Sequence, residues 1–244
     1  MPRVYEKQNG QIHWTYGEAG DRFRSVPGDV WQAGPHLLGC GDLFTADAQH
    51  LLELAGPRRP DLVYVDPPWN QSNLKAFATK AALPMAGTEF ARFLDALLET
   101  VRVCPGYLFM EMGRASLKLL RERVTLKNGI IAQSWDITYY RKHPNYLVQL
   151  AFGAVPPVQG DPTGLDDEDT PRWALLHLKE KQQLVFDPCL GRGLTLRTAH
   201  QLGQTCIGME FNPRRLAVAL AYLAQAGLAP VKLTNTRGVN SDGT

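Results

Sequence analysis

Three short apolar runs, each ending in an acidic residue, constrain the fold of this 244-residue chain more than any other feature. The runs are HLLGCGD (36–42), DLVYVD (61–66) and LVFD (184–187). Continuous apolar runs of this length are typical of strands buried on both faces of a parallel sheet. Because helical patterns alternate with them, the sequence predicts an α/β protein with a doubly wound, mostly parallel sheet.

Helical and hairpin patterns complete this prediction. Apolar residues at three- and four-residue intervals predict helices at 45–56, 87–104 and 114–129. The extended runs 130–140 and 146–155, joined by RKHPN, predict an antiparallel hairpin. The hairpin is therefore expected to add antiparallel strands to a mostly parallel sheet.

Composition divides the chain into one domain with a segment at each end. We predict an N-terminal extension at 1–35, an α/β domain at 36–228 and a C-terminal tail at 229–244. Within the domain, we predict a first half at 36–157, a short acidic linker at 158–170 and a second half at 171–228. The polar segment 70–84 follows one of the acid-terminated strands, and we predict that it is a loop.

Composition also excludes several classes of protein. The four cysteines form neither a CxxC pair nor a zinc-ligand spacing, so we predict no metal site and no disulfide framework. The N-terminus lacks the apolar core of a signal peptide, and the most apolar stretch, 216–224, is too short to span a bilayer. We therefore expect a cytoplasmic protein without a membrane segment.

Charge is unevenly distributed along the chain. The formal net charge is +2, but residues 161–169 hold five acids and no base, which leaves +7 on the rest. Between Arg114 and His143 there are seven Lys and Arg residues against two acids. This distribution permits a polyanion as a partner, and scattered solvated charge explains it equally well.

A glycine turn follows the third acid-terminated strand. Gly191 and Gly193 lie between the strand LVFD and a predicted helix, and the next strand, TCIGME, ends at Glu210. Gly191 precedes Glu210 by 19 residues, close to the roughly 20 that separate glycine turn and ribose-binding acid in nucleoside-cofactor sites. A purely structural turn is the alternative, but Asn212 and Pro213, which suit a helix start, favour the cofactor site.

Three stretches together resemble a known family. DPPW (66–69), FDPCLGRGLT (186–195) and CIGMEFNP (206–213) are similar to motifs of amino-methyltransferases that use S-adenosylmethionine. The catalytic motif comes first, and this order resembles the β-class DNA methyltransferases, whose Rossmann-like fold is circularly permuted. The resemblance covers most of the chain, from about residue 36 to residue 226.

The resemblance implies a set of site residues. It implies catalytic roles for Asp66, Pro67, Pro68 and Trp69. It implies S-adenosyl-L-methionine contacts at Asp42, Leu43, Asp187, Pro188, Gly191, Gly193, Glu210 and Asn212. Candidates for contact with the substrate base are Asn70 and Tyr139, with Tyr140 beside it.

Each part of the cofactor has an implied partner. Asp187 and the turn after it would hold the amino-acid part, Glu210 the ribose hydroxyls and Asp42 the adenine amino group. Pro171 and Arg172 occupy the place of a Lys-Pro pair of the family, and a simple helix start is an equal alternative for them. The chain departs from the family residues at Cys189, Leu190 and Arg192.

The acid, the prolines and the tryptophan suit methylation of an exocyclic amine. Such an amine is a poor nucleophile because its lone pair is delocalised into the ring. Asp66 and the carbonyl of Pro67 could each accept a hydrogen bond from one amine N–H and so localise the lone pair, and proline fixes their geometry in advance. Trp69 offers a face on which a flipped-out base could stack. A rigid turn with a core tryptophan is the alternative reading of these four residues.

In the family, Asp at the first motif position is usual for adenine N6 enzymes and Ser for cytosine N4 enzymes. Asp66 therefore favours a DNA methyltransferase specific for adenine N6. The resemblance implies double-stranded DNA as the partner, in the cytoplasm of a bacterium or phage host, and leaves restriction-modification, phage and regulatory roles open. Alternatives are a cytosine N4 enzyme, an adenine N6 enzyme acting on RNA, and a non-catalytic DNA-binding subunit. A homodimer is common in the family.

The family normally places a target-recognition region between its two halves. Only the short acidic linker is available in this chain, and acids are poor partners for phosphates. We therefore predict a short or relaxed recognition site, read by residues 1–35, residues 70–84 and the hairpin. Lys75 and Lys80 are candidates for phosphate contacts, and solvated lysines are the alternative.

Overall fold

A nine-stranded sheet organises the described part of the chain, which in this computed structural model comprises residues 16–83, 89–103, 106–139, 142–166, 168–179 and 183–233. The strands are β1 (Val30–Ala33), β2 (His36–Cys40), β3 (Leu62–Val65), β4 (Tyr107–Gly113), β5 (Ile130–Tyr139), β6 (His143–Ala151), β7 (Leu184–Asp187), β8 (Thr205–Glu210) and β9 (Val231–Leu233). The helices are α1 (Tyr16–Arg22), α2 (Asp47–Leu54), α3 (Gln71–Ala81), α4 (Phe90–Val101), α5 (Leu117–Leu126), α6 (Thr170–Leu175), α7 (Leu194–Gln201) and α8 (Pro213–Gln225).

The strand order is β5-β6-β4-β3-β7-β8-β2-β1-β9. The five central strands, from β4 to β2, are parallel to one another, and β6, β5, β1 and β9 add antiparallel pairs at the two edges. The prediction of a doubly wound, mostly parallel Rossmann-like sheet with an antiparallel hairpin is confirmed. The predicted strands at 36–42, 61–66 and 184–187 appear as β2, β3 and β7.

Strand β3 is continuously apolar because helices cover both faces of the sheet. In β3, Leu62 and Tyr64 pack into one apolar cluster, while Val63 and Val65 pack into a second cluster on the opposite face. All four residues of this strand are buried. The alternation of faces therefore leaves no position for a polar residue until the strand ends at Asp66.

The second strand of the hairpin, β6, begins earlier than the sequence predicts. β6 begins at His143, three residues before the predicted run, and ends at Ala151. The acidic linker lies beside the hairpin: the Gly164 N–H donates to the Asp136 carbonyl, and the Thr138 N–H donates to the Leu165 carbonyl. This part of the linker is therefore fixed to the edge strand β5.

The prediction of a loop at 70–84 was wrong, because most of this segment is helix α3. Asn70 caps the helix, since its side chain accepts a 2.9 Å hydrogen bond from the Asn73 N–H. Ala82 ends it in the left-handed conformation, with φ +55°. Of the α3 residues, all of which the structure describes, Leu74 alone is buried, so the helix shows only a weak apolar pattern.

Both ends of the described chain contribute to the sheet. β1 comes from the predicted N-terminal extension and β9 from the predicted C-terminal tail, and the two strands pair antiparallel. The Lys232 ammonium lies 2.7 Å from the Asp29 carboxylate and joins the same segments. Residues 1–15 and 234–244 lie outside the described residues, and the predicted domain boundaries stay a prediction.

Candidate active site

One cavity of about 1220 Å³ lies along the carboxyl ends of β2, β3, β7 and β8. Ligands of doubly wound sheets bind at this edge, so the position agrees with the predicted site. The predicted site residues that line the cavity are Asp42, Leu43, Asp66, Pro67, Pro68, Trp69, Tyr139, Asp187, Pro188, Gly191, Glu210 and Asn212. Asn70 and Gly193 do not line it, and Tyr140 lies outside the described residues.

The DPPW motif forms the wall of the cavity just after β3. Asp66 is exposed, Pro67 is buried, and the Trp69 indole Nε1–H donates a 2.8 Å hydrogen bond to the Asp66 carboxylate. The Trp69 and Tyr139 rings meet edge to face, with their centroids 4.8 Å apart. A Cβ on Gly113 would lie 3.0 Å from the Trp69 Cβ, so a glycine allows the close approach of β4. The acid, the tryptophan and the tyrosine thus form one unit.

Asn70 has a structural place in the molecule. Its side chain is exposed and caps α3 through the bond to Asn73 described above. The cap fixes where α3 begins, immediately after the DPPW motif. A contact between Asn70 and the substrate base stays a prediction.

The two glycines of the turn after β7 have different surroundings. Gly193 has φ +85° and begins α7, and a Cβ there would lie 2.9 Å from the Ala219 Cβ. Gly191 has φ +59°, and the nearest atoms to a Cβ there would be 3.9 Å away or more. Gly193 therefore allows α7 to pack against α8, whereas Gly191 leaves its backbone open toward the cavity.

Glu210 and the glycine turn are joined directly. One Glu210 carboxylate oxygen accepts a 2.7 Å hydrogen bond from the Gly191 N–H, and the other accepts a 2.8 Å bond from the Asn212 N–H. The Asn212 side chain accepts a 3.0 Å bond from the Arg214 N–H and so caps α8, as the sequence predicts. Each carboxylate oxygen has a second lone pair with which to accept a further bond.

Burial raises the pKa of several cavity carboxylates. Burial raises the pKa of Asp187 to about 7, although bonds from the Thr195 hydroxyl and the Cys189 N–H oppose the shift. Burial likewise raises the pKa of Glu210, against the opposing charge of Arg215, and it raises the pKa of Asp42. A cationic ligand would stabilise the ionised form of all three acids, so the cavity suits a ligand with positive charge.

A buried polar cluster behind the DPPW motif was missed by the sequence analysis. The Tyr64 hydroxyl donates to the Glu111 carboxylate, and the Asn145 amide donates a 3.4 Å bond to the other Glu111 oxygen. Tyr64 is 1% exposed, Glu111 1% and Asn145 0%, although Tyr64 and Glu111 line the cavity wall. The signal in the sequence was a glutamate inside the otherwise apolar run GYLFMEM (106–112), most of which forms β4.

Two further cavity residues, Phe77 and Arg215, come from helices that follow the two motifs. The Arg215 guanidinium carbon lies 4.5 Å from the centre of the Phe77 ring. Phe77 belongs to α3, after DPPW, and Arg215 to the first turn of α8, after Glu210. The sequence gives no sign of this contact, because the two residues are far apart along the chain.

The basic stretch from Arg114 to His143 is partly neutralised. Three of its cations pair with acids, at distances of 2.5 to 3.3 Å: Arg114 with Asp136, Arg123 with Asp95, and Lys127 with Glu99. By contrast, Lys142 and His143 line the cavity. Pro171 and Arg172 also line it, in the first turn of α6, so both readings of these two residues remain open.

No helix within the described ranges is both long and apolar enough to cross a membrane. The same ranges contain no cluster of three or more His, Cys, Asp or Glu side chains arranged to hold a metal ion.

Comparison with known proteins gives the fold class. No family model and no curated protein sequence matches the chain. Among solved structures, the complex of M1.HpyAVI with SAM has a TM-score of 0.56 at 11% identity, over 77% of this chain and 98% of that one. The cytosine-N4-specific PvuII DNA methyltransferase has a TM-score of 0.53 at 14% identity, over 82% and 89% of the two chains.

A third similar structure comes from Thermus thermophilus. It is described as a putative DNA modification methylase in complex with S-adenosyl-L-methionine, and its TM-score is 0.54 at 17% identity, over 77% of this chain and 93% of that one. Identities this low establish the fold alone. The chain therefore has the Rossmann-like fold of these methyltransferases.

Proposed function

We propose that this chain transfers a methyl group from S-adenosyl-L-methionine to the N6 amine of adenine in double-stranded DNA. The observation that carries the proposal is the meeting of two motifs in one cavity. Asp66 and Trp69 reach it from the end of β3, while Asp187, Gly191 and Glu210 reach it from β7 and β8. We infer that an acid-Pro-Pro-aromatic motif beside a glycine turn of this kind suits methyl transfer to an exocyclic amine.

The residues of the cavity fit the proposed cofactor. Its volume of about 1220 Å³ is above the roughly 300–1,000 Å³ of typical single-ligand pockets, so it has room for a nucleoside cofactor and a base together. S-adenosyl-L-methionine carries a sulfonium and an ammonium cation, and when bound it supplies an electrophilic methyl group. The carboxylates of Asp187 and Glu210 complement these positive charges. Gly191, which lacks a side chain, leaves room for the cofactor to approach the backbone closely.

The DPPW residues would activate the amine. One amine N–H donates a hydrogen bond to the Asp66 carboxylate and the other donates to the Pro67 carbonyl, so the nitrogen becomes more tetrahedral and its lone pair points away from the ring plane. The nitrogen would form a bond to the methyl carbon as the bond from that carbon to sulfur breaks, with S-adenosylhomocysteine as the leaving group, and the nitrogen would lose one proton to the Asp66 carboxylate. Because Asp66 is exposed, it can return that proton to solvent.

The aromatic pair would hold the base outside the duplex. A base inside a duplex cannot reach a cavity at the sheet edge, so it must be flipped out. Trp69 and Tyr139 line the cavity beside Asp66, and stacking on such a face contributes about 1–3 kcal/mol per base. We propose that this stacking offsets part of the cost of unpairing.

Cytosine N4 is the second candidate target. The similarity in fold to the cytosine-N4-specific PvuII enzyme favours it, whereas the Asp at position 66 favours adenine. Mass spectrometry of nucleosides from DNA and RNA treated with the purified protein separates the candidates. We expect N6-methyladenine in DNA. Detection of N4-methylcytosine would make cytosine the target, and methylated RNA would make RNA the substrate. Absence of any methylated product would favour a non-catalytic DNA-binding subunit.

We further propose a short or relaxed recognition sequence, in the cytoplasm of a bacterium or phage host. The linker between the halves is short and lies against the hairpin, which leaves little chain for a recognition domain. Sequencing of DNA methylated by the purified protein would give the site directly. Methylation confined to one site of five or more bases would contradict this proposal.

A further inference from the structure

Arg215 bridges two parts of the cavity that come from opposite halves of the chain. Its guanidinium carbon lies 4.5 Å from the centre of the Phe77 ring, within the range of a cation–π contact. Its Nη1 would lie 4.0 Å from a Cβ on Gly191, and its charge opposes the effect of burial on Glu210. The guanidinium therefore reaches α3, the glycine turn and the acid that ends β8.

Within the described residues, helix α3 buries little apolar surface that would keep it in place. Leu74 is its one buried residue within the described chain. Beyond its own cap, α3 accepts a 2.8 Å hydrogen bond from the Phe90 N–H through the Gln71 side chain. Segments with little buried apolar contact open locally at low free-energy cost. The contact of Phe77 with Arg215 therefore contributes to holding the middle of α3 over the cavity.

We propose that Phe77 and Arg215 belong to the cofactor site, where their contact holds α3 over the nucleoside end of the bound cofactor and slows its release. We call the pair the Phe77–Arg215 latch. This inference rests on the proposed function, because Glu210 and Gly191 are taken to bind the cofactor. The latch acts alike on substrate and product, since both carry the same nucleoside.

Two measurements on matched variants test the latch. The variants are Arg215→Gln, which removes the charge, Phe77→Leu, which keeps an apolar side chain but removes the aromatic face, and the double variant. Arg102→Gln is the control, because Arg102 lies 5.8 Å from the Phe152 ring in a similar pair outside the cavity. Thermal unfolding of each variant establishes that it is folded.

The first measurement is amide hydrogen exchange without ligand. We expect α3 to exchange at least threefold faster in Arg215→Gln and in Phe77→Leu than in the wild type, and to be unchanged in Arg102→Gln. Unchanged exchange of α3 in both cavity variants would overturn the latch, whatever the protein binds.

The second measurement is the dissociation rate of S-adenosylhomocysteine by stopped flow. We expect about fivefold faster release in each single variant, association within twofold of the wild type, and no further increase in the double variant, because both changes break one contact. Additive effects, or release unchanged in Phe77→Leu, would overturn the role in retention. Faster exchange of α3 in a protein that binds no S-adenosylhomocysteine would overturn the proposed function and the cofactor role, while the contact itself would stand.

Discussion

The Trp69 indole donates a 2.8 Å hydrogen bond to the Asp66 carboxylate, so the aromatic residue of the motif also orients its acid. We expect Trp69→Phe, which keeps a stacking face but removes the donor, to lower kcat for methyl transfer about tenfold. KM for DNA should stay within threefold, because stacking persists. Initial-rate kinetics over a range of DNA concentrations checks this split.

A matched control for that substitution is Trp173→Phe. Trp173 packs in an aromatic cluster with Phe109 and Trp135 and does not line the cavity. We expect the kcat of the Trp173→Phe variant to remain within twofold of the wild-type value. An equal loss of kcat in both variants would show that the effect of Trp69→Phe comes from packing rather than from the bond to Asp66.

Asp66→Ala tests whether Asp66 activates the amine. We expect methyl transfer to be abolished, while S-adenosyl-L-methionine binds within a few-fold of the wild type because the acids of the proposed cofactor site, Asp187 and Glu210, are unchanged. Transfer from labelled cofactor and calorimetric titration measure the two quantities. Retained transfer in this variant would refute the proposed mechanism.

Asp187 predicts a pH dependence of cofactor binding. Burial raises the pKa of Asp187 to about 7, and an ammonium group bound beside it would favour the ionised form. Binding should therefore release a proton below about pH 7, and affinity should rise from pH 5.5 to pH 7. Calorimetry in buffers of different ionisation enthalpy measures the proton. In Asp187→Asn, both the proton release and this pH dependence should disappear.

The raised pKa of Asp187 also predicts that the stability of the ligand-free protein depends on pH. The unfolded chain loses the Asp187 proton near pH 3.8, whereas the folded chain keeps it until about pH 7. The folded state therefore binds more protons between these values, and this group lowers the free energy of unfolding as pH rises from about 4 to 7. Urea unfolding at several pH values measures this effect. Between pH 4 and 7, the free energy of unfolding should decline less in Asp187→Asn than in the wild type.

The buried cluster of Tyr64, Glu111 and Asn145 predicts a loss of stability. Tyr64→Phe leaves a buried carboxylate without the hydroxyl that donates to it, so we expect the free energy of unfolding to fall by about 1–3 kcal/mol. Tyr146→Phe, at a half-buried tyrosine on β6, is the control and should change it by less than about 0.5 kcal/mol. Equal values for the two variants would show that the cluster adds no stability.

The central sheet could be predicted because burial on both faces leaves continuous apolar runs in β2, β3 and β7. α3 could not, because it buries only Leu74 and its sequence is otherwise polar. β9 is three residues long, and Val231 is 59% exposed, so its place in the sheet depends on pairing with β1 rather than on its own composition. Short edge strands of this kind carry little local signal.

In the candidate site, too, local contacts could be predicted from the sequence and contacts between distant elements could not. Residues within one motif, such as Asp66 and Trp69, could be placed together from the sequence because the turn that joins them is local. The contact of Phe77 with Arg215 and that of Tyr64 with Glu111 join elements distant in sequence. Such pairs depend on strand order and helix packing. The hydrophobic periodicity of a single sequence indicates neither of these.

The pairing of the first and last strands has a consequence for biosynthesis. β1 pairs with β2 and β9, β2 pairs with β8, and α1 packs against α8, so the first described elements find most of their partners near the end of the chain. On the ribosome, β1 and β2 can pair with each other early, but β2 must wait for β8 and α1 for α8, which are synthesised much later. During translation these nascent segments, with the apolar side chains of Trp31 and Leu38 exposed, are therefore natural substrates for chaperones.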